Sequence, residues 1–311
     1  MKENIFIINH SVENCGVYQY GKRVAGVLSN SENYNFKYLE LNDFETFLTH
    51  VNEDKPTSII YNHLTGTMPW FTEDKAQQIR MMGIKQGLLV HNVAYSTFFD
   101  FYLHQDPNYQ DNGDNYHILR PLFDYNKTFE KEDDVIRIGS FGFGFKVKQY
   151  DSICDMVNRT FPTEKVELNL HITESFFCPN ADVIEQLKRT CNSIITNKNI
   201  TLNFTTDFMT DEGVLDFLSK NDLNIFLYKK YGTYNGISSV IDYALSAAKP
   251  IAICRSNMFS HIWDTQPSIC VENNDLRTIL NNGFDSLNKK RDEWSNPNFI
   301  INIEGIINKL K

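Results

Sequence analysis

The chain has 311 residues, 41% of them hydrophobic and 22% charged, which fits a globular protein long enough for two cores. Its formal net charge of -9 argues against a protein that lives on nucleic acid or anionic lipid, since both recruit an excess of Lys and Arg. No run of about eighteen apolar residues occurs, so no transmembrane segment is expected. The cysteines (Cys15, Cys154, Cys178, Cys191, Cys254, Cys270) are scattered, without a C-x-x-C pair or a preceding secretory signal. They read as reduced thiols in a cytoplasmic protein.

In chain order, short apolar, β-rich runs occur at 4–9 (NIFIIN), 35–41 (NFKYLEL), 57–62 (TSIIYN), 87–92 (GLLVHN) and 116–121 (YHILRP). Stretches with helical spacing lie between them, among them 18–29 and 71–82, and strict alternation of this kind predicts a parallel sheet wrapped by helices. Residues 126–134, inside the charged stretch NKTFEKEDDV, carry no apolar period and read as a linker between domains 1–125 and 135–311. The alternation then restarts, with strands expected at 135–141, 166–172, 199–204, 223–228, 250–255 and 267–272 and helices at 181–196 and 211–220. The fold class is therefore α/β: two doubly wound parallel-sheet domains facing across a cleft, with ligands at the carboxyl ends of the strands. We expect the last helix to pack back on the first domain.

One stretch carries more than fold. In YNGISSVIDYALSAAKPIAIC (234–254) a Gly and two Ser precede an apolar helical segment. The first N–H groups of a helix lack internal partners, so Ser238 and Ser239 behind Gly236 read as half of a phosphate cradle, or as an ordinary N-cap and its neighbour. Lys148 with the Gly142–Gly144 turn supplies a cationic half, or is a solvated charge opening a helix. No D-x-D or His/carboxylate cluster suggests a metal, and none is expected.

The stretch 234–253 resembles the signature of retaining GT-B glycosyltransferases of family 4. Other landmarks fall in matching order: the glycine loop and first helix at 14–28, the strand ending in His at 88–92, ILRPLFDYN at 118–126, and IRIGSFGFGFKVKQYDSI at 136–153. The resemblance implies two Rossmann-like domains and a retaining, metal-independent hexosyltransferase. A nucleotide-sugar is its substrate, no cofactor is needed, and the acceptor is a glycan or protein. It places His91 and Asn235 at the catalytic centre, and Gly16, Gly142, Lys146, Lys148, Ser238 and Ser239 on the donor diphosphate. Asn235, Gly236, Asp242 and Tyr243 fall on the donor sugar and nucleoside. On the acceptor side stand Asn62 and His63 at a strand end, with Trp70 in the aromatic run MPWF (68–71). That run and YSTFFDFY (95–102) read as sugar-stacking surfaces or as the core packing of two helices, and His91, Asn62 and His63 read equally as satisfied structural residues.

The departures from that pattern are specific. Counting back from Pro250, the two Glu positions of the family are Asn235 and Tyr243, so both carboxylates are missing. Asp242 lies one residue away, which on a helix is a rotation of about 100°. Phe143 stands where an Arg is common, with Lys146 as a compensating cation. The pattern therefore also admits a GT-B-like protein that has lost catalysis and binds a glycan or a partner enzyme. A third reading, a glycosyltransferase acting on DNA bases, is disfavoured by the acidic balance.

Overall fold

The computed structural model describes residues 2–64, 66–91, 98–106, 109–131, 133–176, 179, 181–229 and 236–311. Its chain divides into two compact units, Met1–Pro121 with Tyr234–Ile237 and Trp294–Lys311, and Leu122–Thr233 with Ser238–Glu293.

In the first unit the order is β1 (Glu3–Asn9), α1 (Gly16–Leu28), β2 (Tyr34–Glu40), α2 (Phe44–Asp54), β3 (Ser58–Tyr61), α3 (Glu73–Met81), β4 (Lys85–Val90), β5 (Phe101–His104) and β6 (Asn115–His117). The strands form one sheet, order β2-β1-β3-β4-β5-β6, and every pairing is parallel. β1 shows why it lies centrally. Ile5 and Ile7 point into one core with Val24 and Leu28 of α1, while Phe6 and Ile8 point into the other with Phe47 and Val51 of α2 and Ile79 of α3. A strand buried on both faces needs this unbroken apolar run.

The second unit holds β7 (Ile136–Phe143), α4 (Tyr150–Thr160), β8 (Val166–Thr173), α5 (Ala181–Ile194), β9 (Ile200–Thr205), α6 (Asp211–Ser219), β10 (Leu223–Phe226), α7 (Val240–Ser246), β11 (Ile251–Ile253), α8 (Leu276–Asn282) and α9 (Asp285–Glu293). Its sheet, order β11-β10-β7-β8-β9, is again parallel. A line of amides crosses it: Asn203 donates to Asn169 (3.0 Å), Asn169 to Asn221 (3.3 Å), and Asn221 to Asn224 (3.0 Å). Residues 122–131 carry no regular structure. They are tied to α6 and the turn after it by Tyr125 on Asp216 (2.9 Å), Lys127 on Glu212 (2.6 Å) and Lys131 on Asp222 (2.9 Å).

The chain closes with α10 (Asn296–Lys309), which belongs to the first unit. It buries Phe299, Ile303, Ile306 and Ile307 beside α1, each worth about 1.5–3 kcal/mol of apolar burial. Its buried Glu304 accepts from Ser31 (2.6 Å) and Asn33 (2.7 Å).

Three expectations are corrected. Phe101 and Tyr102, read from sequence in an aromatic surface or in the packing of two helices, lie in a strand, Phe101–His104, paired with β4 and β6. The expected strand 116–121 is confined to Asn115–His117. The expected strand 267–272 pairs only through an isolated bridge between Ile253 and Cys270, because the amides of Asn273 and Asn274 both turn back onto the Cys270 carbonyl.

Candidate functional site

At the carboxyl edge of the second sheet, β7 ends in Gly142 and Phe143, and the chain passes through a 3-10 turn, Lys146–Lys148, before α4. Gly142 takes φ +144, and a Cβ on it would lie 3.0 Å from Lys148 Nζ. Glycine thus serves both the backbone and the lysine. The Lys148 ammonium donates to the Tyr228 phenol oxygen and sits 4.2 Å from that ring's centroid. The Ser238 hydroxyl donates to the same oxygen (3.3 Å). Tyr228, just past β10, is held by its backbone: its N–H donates to Cys254 Sγ (3.1 Å), and that thiol donates to the Tyr228 carbonyl (3.2 Å). The next amide, Lys229, donates to the Val147 carbonyl (2.8 Å), so the segment carrying Lys146 and Lys148 and the end of β10 are stitched together.

Burial pulls the Lys148 ammonium down to about 7, and it pushes the Tyr228 phenol above its usual range. No carboxylate lies within salt-bridge distance of Lys148 among the described residues. A desolvated cation without a counter-ion is an incomplete arrangement that an anion would complete. Lys146 and Lys229 are exposed on the same edge.

The serine pair differs from expectation. The Ser238 N–H donates to the Met258 carbonyl (3.1 Å), so that backbone donor is already used, and Ser239 makes no side-chain cap bond to the seven-residue α7. Ser238 therefore supports Tyr228, and through it Lys148, by its hydroxyl, while Ser239 stands at the N-cap position of α7 without a side-chain cap bond. Gly236 is buried and grouped with the first unit. Asp242 is fully buried in the first turn of α7. Tyr243, expected on the nucleoside, packs against Phe123 (4.4 Å) and Phe141 (5.3 Å) and donates its hydroxyl to Asp211, so its ring serves the core of this unit. Asn235 lies outside the described residues. A separate cavity of about 330 Å³, lined by Lys131, Arg137, Lys220 and Lys249 together with Glu130, Asp133 and Asp222, opens at the opposite, amino-terminal edge of the sheet and does not belong to this site.

In the first unit, polar side chains gather where β1, β3 and β4 end. Asn9 and Asn62 are fully buried, His63 and His91 half-buried. His91 pairs through Nε2 with Asn62 Oδ1 (2.6 Å) and meets the Tyr20 ring edge-on (5.5 Å). Arg120 and Arg23 lie over the Tyr20 ring, 5.1 and 5.3 Å from its centroid. Burial first, then the Arg120 charge, drives His91 down to about 3, so it is a neutral imidazole. Burial also lowers His63, with His10 adding to the effect.

Of the acceptor-side residues, Asn62 is consumed by internal hydrogen bonds and has no exposed surface. Trp70 donates its indole N–H to the Leu41 carbonyl (3.2 Å) and packs on Phe47 and Phe71, both at 5.8 Å. Asn62 is therefore an internal contact, whereas Trp70 and His63 both keep partial exposure. Gly16 is exposed at the first position of α1. No group of three His, Cys, Asp or Glu side chains is arranged to hold a metal among the described residues.

Sequence reasoning missed Tyr228 and Lys229. A Tyr closing the apolar run LNIFLY reads as strand, and the only available signal was its place at a strand's carboxyl end.

The two parallel α/β units define the GT-B glycosyltransferase fold. A glycosyltransferase from Rickettsia africae ESF-5 superposes with TM-score 0.70 at 10% identity over 100% of this chain and 99% of that one. Anabaena Alr3699/HepE, solved in complex with UDP and glucose, gives 0.69 at 10% identity over 99% and 100%. The lipopolysaccharide outer core galactosyltransferase WaaB gives 0.67 at 10% identity over 99% and 100%. No family model and no curated protein matches the sequence. No helix among the described residues is long and apolar enough to cross a membrane.

Proposed function

We propose that the protein is a glycosyltransferase that takes a nucleotide-sugar on its second unit and transfers the sugar, with retention and without a metal, to a glycan or protein acceptor in the cytoplasm. The observation that carries this reading is Lys148, desolvated and without a carboxylate partner among the described residues, at the carboxyl edge of the second sheet. In this fold that edge is where ligands bind, and HepE, which shares the fold, was solved with UDP and glucose.

The chemistry follows from charge. Breaking the bond between sugar and diphosphate builds negative charge on the leaving oxygen, and a cation preset in a water-poor site stabilises it without reorganising. Lys148 supplies that cation, Tyr228 and Ser238 hold it, and Lys146 and Lys229 add to the field that draws the anion in. The test is titration with UDP, GDP and ADP and their glucose conjugates, wild type beside Lys148→Ala. Saturable binding of one nucleotide, weakened at least tenfold by the substitution, is the expected result; equal binding by both proteins would remove Lys148 from the site.

A second reading has an observation of its own. Tyr243 occupies a position where the resemblance wants a carboxylate, and its side chain is built into the core of the second unit. A GT-B-like protein that binds a glycan or partner enzyme without catalysis fits that substitution. Donor-dependent release of nucleoside diphosphate belongs to the first reading only.

A further inference from the structure

Asn62 has the place of a ligand-binding residue and the bonding of a buried hub. Its Nδ2 donates to the Val17 carbonyl (2.7 Å) and to Asn9 Oδ1 (2.8 Å). Asn9 in turn donates through Nδ2 to the Tyr18 carbonyl (3.0 Å), while its Oδ1 also accepts from the His10 N–H (3.0 Å). Backbone carbonyls can only accept, so both amides have a single orientation. Asn62 must then present an oxygen to His91 Nε2, 2.6 Å away.

An oxygen that only accepts requires a proton on Nε2. A neutral imidazole carries one N–H, so Nδ1 holds the lone pair. The surroundings keep the ring neutral: the groups that face it electrostatically are Arg120, His63 and His10, all cationic when charged, and burial opposes protonation further. Nδ1 has no hydrogen-bond partner among the described residues.

We propose that Asn62 is a positioning residue that locks His91 in the Nε2–H tautomer, leaving Nδ1 as a hydrogen-bond acceptor for a ligand hydroxyl at the carboxyl edge of the first sheet. A lone pair accepts from a hydroxyl or another donor and repels a phosphate or carboxylate oxygen, so the ligand group at this position is a hydrogen-bond donor, such as the hydroxyl of a sugar or other alcohol. The choice of a sugar rests on the glycosyltransferase reading above; the tautomer does not.

The test uses the full chain labelled with 15N-histidine and two-bond proton–nitrogen correlations, with His91→Gln to identify the His91 signals among the eight histidines. The expected pattern is a pyrrole-type Nε2 and a pyridine-type Nδ1, unchanged between about pH 6 and about pH 8, where an ordinary histidine titrates. Asn62→Ala should replace it with exchanging tautomers, an effect that mere loss of packing would not produce. A protonated Nδ1, or a His91 that titrates in that range, would overturn the inference from the wild-type spectrum alone, even if Asn62→Ala does not fold. Failure of UDP-glucose to bind would count against the glycosyltransferase reading and would leave the tautomer result standing.

Discussion

Gly142 lies against Lys148 so closely that a methyl group on the glycine would sit 3.0 Å from the ammonium nitrogen and 3.3 Å from the Tyr150 hydroxyl. The same glycine has φ +144, a region that side chains rarely enter. Gly142→Ala should therefore cost about 1–3 kcal/mol of stability through the backbone and push the lysine head off Tyr228. Urea unfolding and nucleotide titration read the two effects separately. Adding Lys148→Ala relieves the contact and not the φ, so the double variant should remain destabilised; recovery of full stability would show that the backbone strain argument is wrong.

Lys148 also predicts a pH dependence with a definite sign. The ammonium is held near 7 when folded, against an ordinary value of 10.5 when unfolded. Between those values the unfolded chain binds the extra proton, so the contribution of this group makes the ligand-free protein more stable as pH rises through that window. A bound diphosphate favours the charged form, so binding above neutrality takes up a proton and affinity falls by up to about tenfold per pH unit. Calorimetry at about pH 8 in buffers of different ionisation enthalpy should show that uptake. Lys148→Met should abolish both it and the rise in stability.

How far these features were legible before the structure depends on what fixed them. The runs that became β1 to β4 declare themselves because buried parallel strands need unbroken apolar sequence. Phe101 and Tyr102 end the aromatic run 95–102, so the short strand they open was read with the aromatic surface or the packing of two helices. Lys148 was legible through its glycine turn. Tyr228 was not, since its role comes from Cys254, 26 residues along the chain, holding its backbone. Asn62 was placed at the right strand end and given the wrong partner: whether an amide faces a ligand or its own α1 is decided by tertiary contact, which spacing does not encode.

Glu304 tests the attachment of α10. Its carboxylate is buried and takes hydrogen bonds from Ser31 and Asn33. Glu304→Ala strands those donors, and the cost should be about 1–3 kcal/mol, read as a lower urea midpoint. Glu304→Gln keeps an oxygen for one of them and should lose less. Equal losses for the two variants would mean that packing, and not hydrogen bonding, dominates there.

Two glycines of α1 make a controlled pair. In a helix interior Gly→Ala ordinarily gains about 0.5–1 kcal/mol, since alanine loses less backbone freedom on folding. Gly26 is exposed and a Cβ there meets nothing within 4 Å, so Gly26→Ala should show that gain. At Gly21 the added carbon would lie 2.2 Å from Asn62 Nδ2 and 2.9 Å from Asn9 Nδ2. Neither amide can retreat, because each is pinned to a backbone carbonyl of α1 itself. Gly21→Ala should therefore destabilise the protein despite its better helix propensity, and by displacing Asn62 it should also disturb the His91 nitrogen signals. Thermal unfolding of the two variants side by side is the measurement: opposite signs support the hub beneath α1, and a stabilised Gly21→Ala would show that Asn62 is free to move.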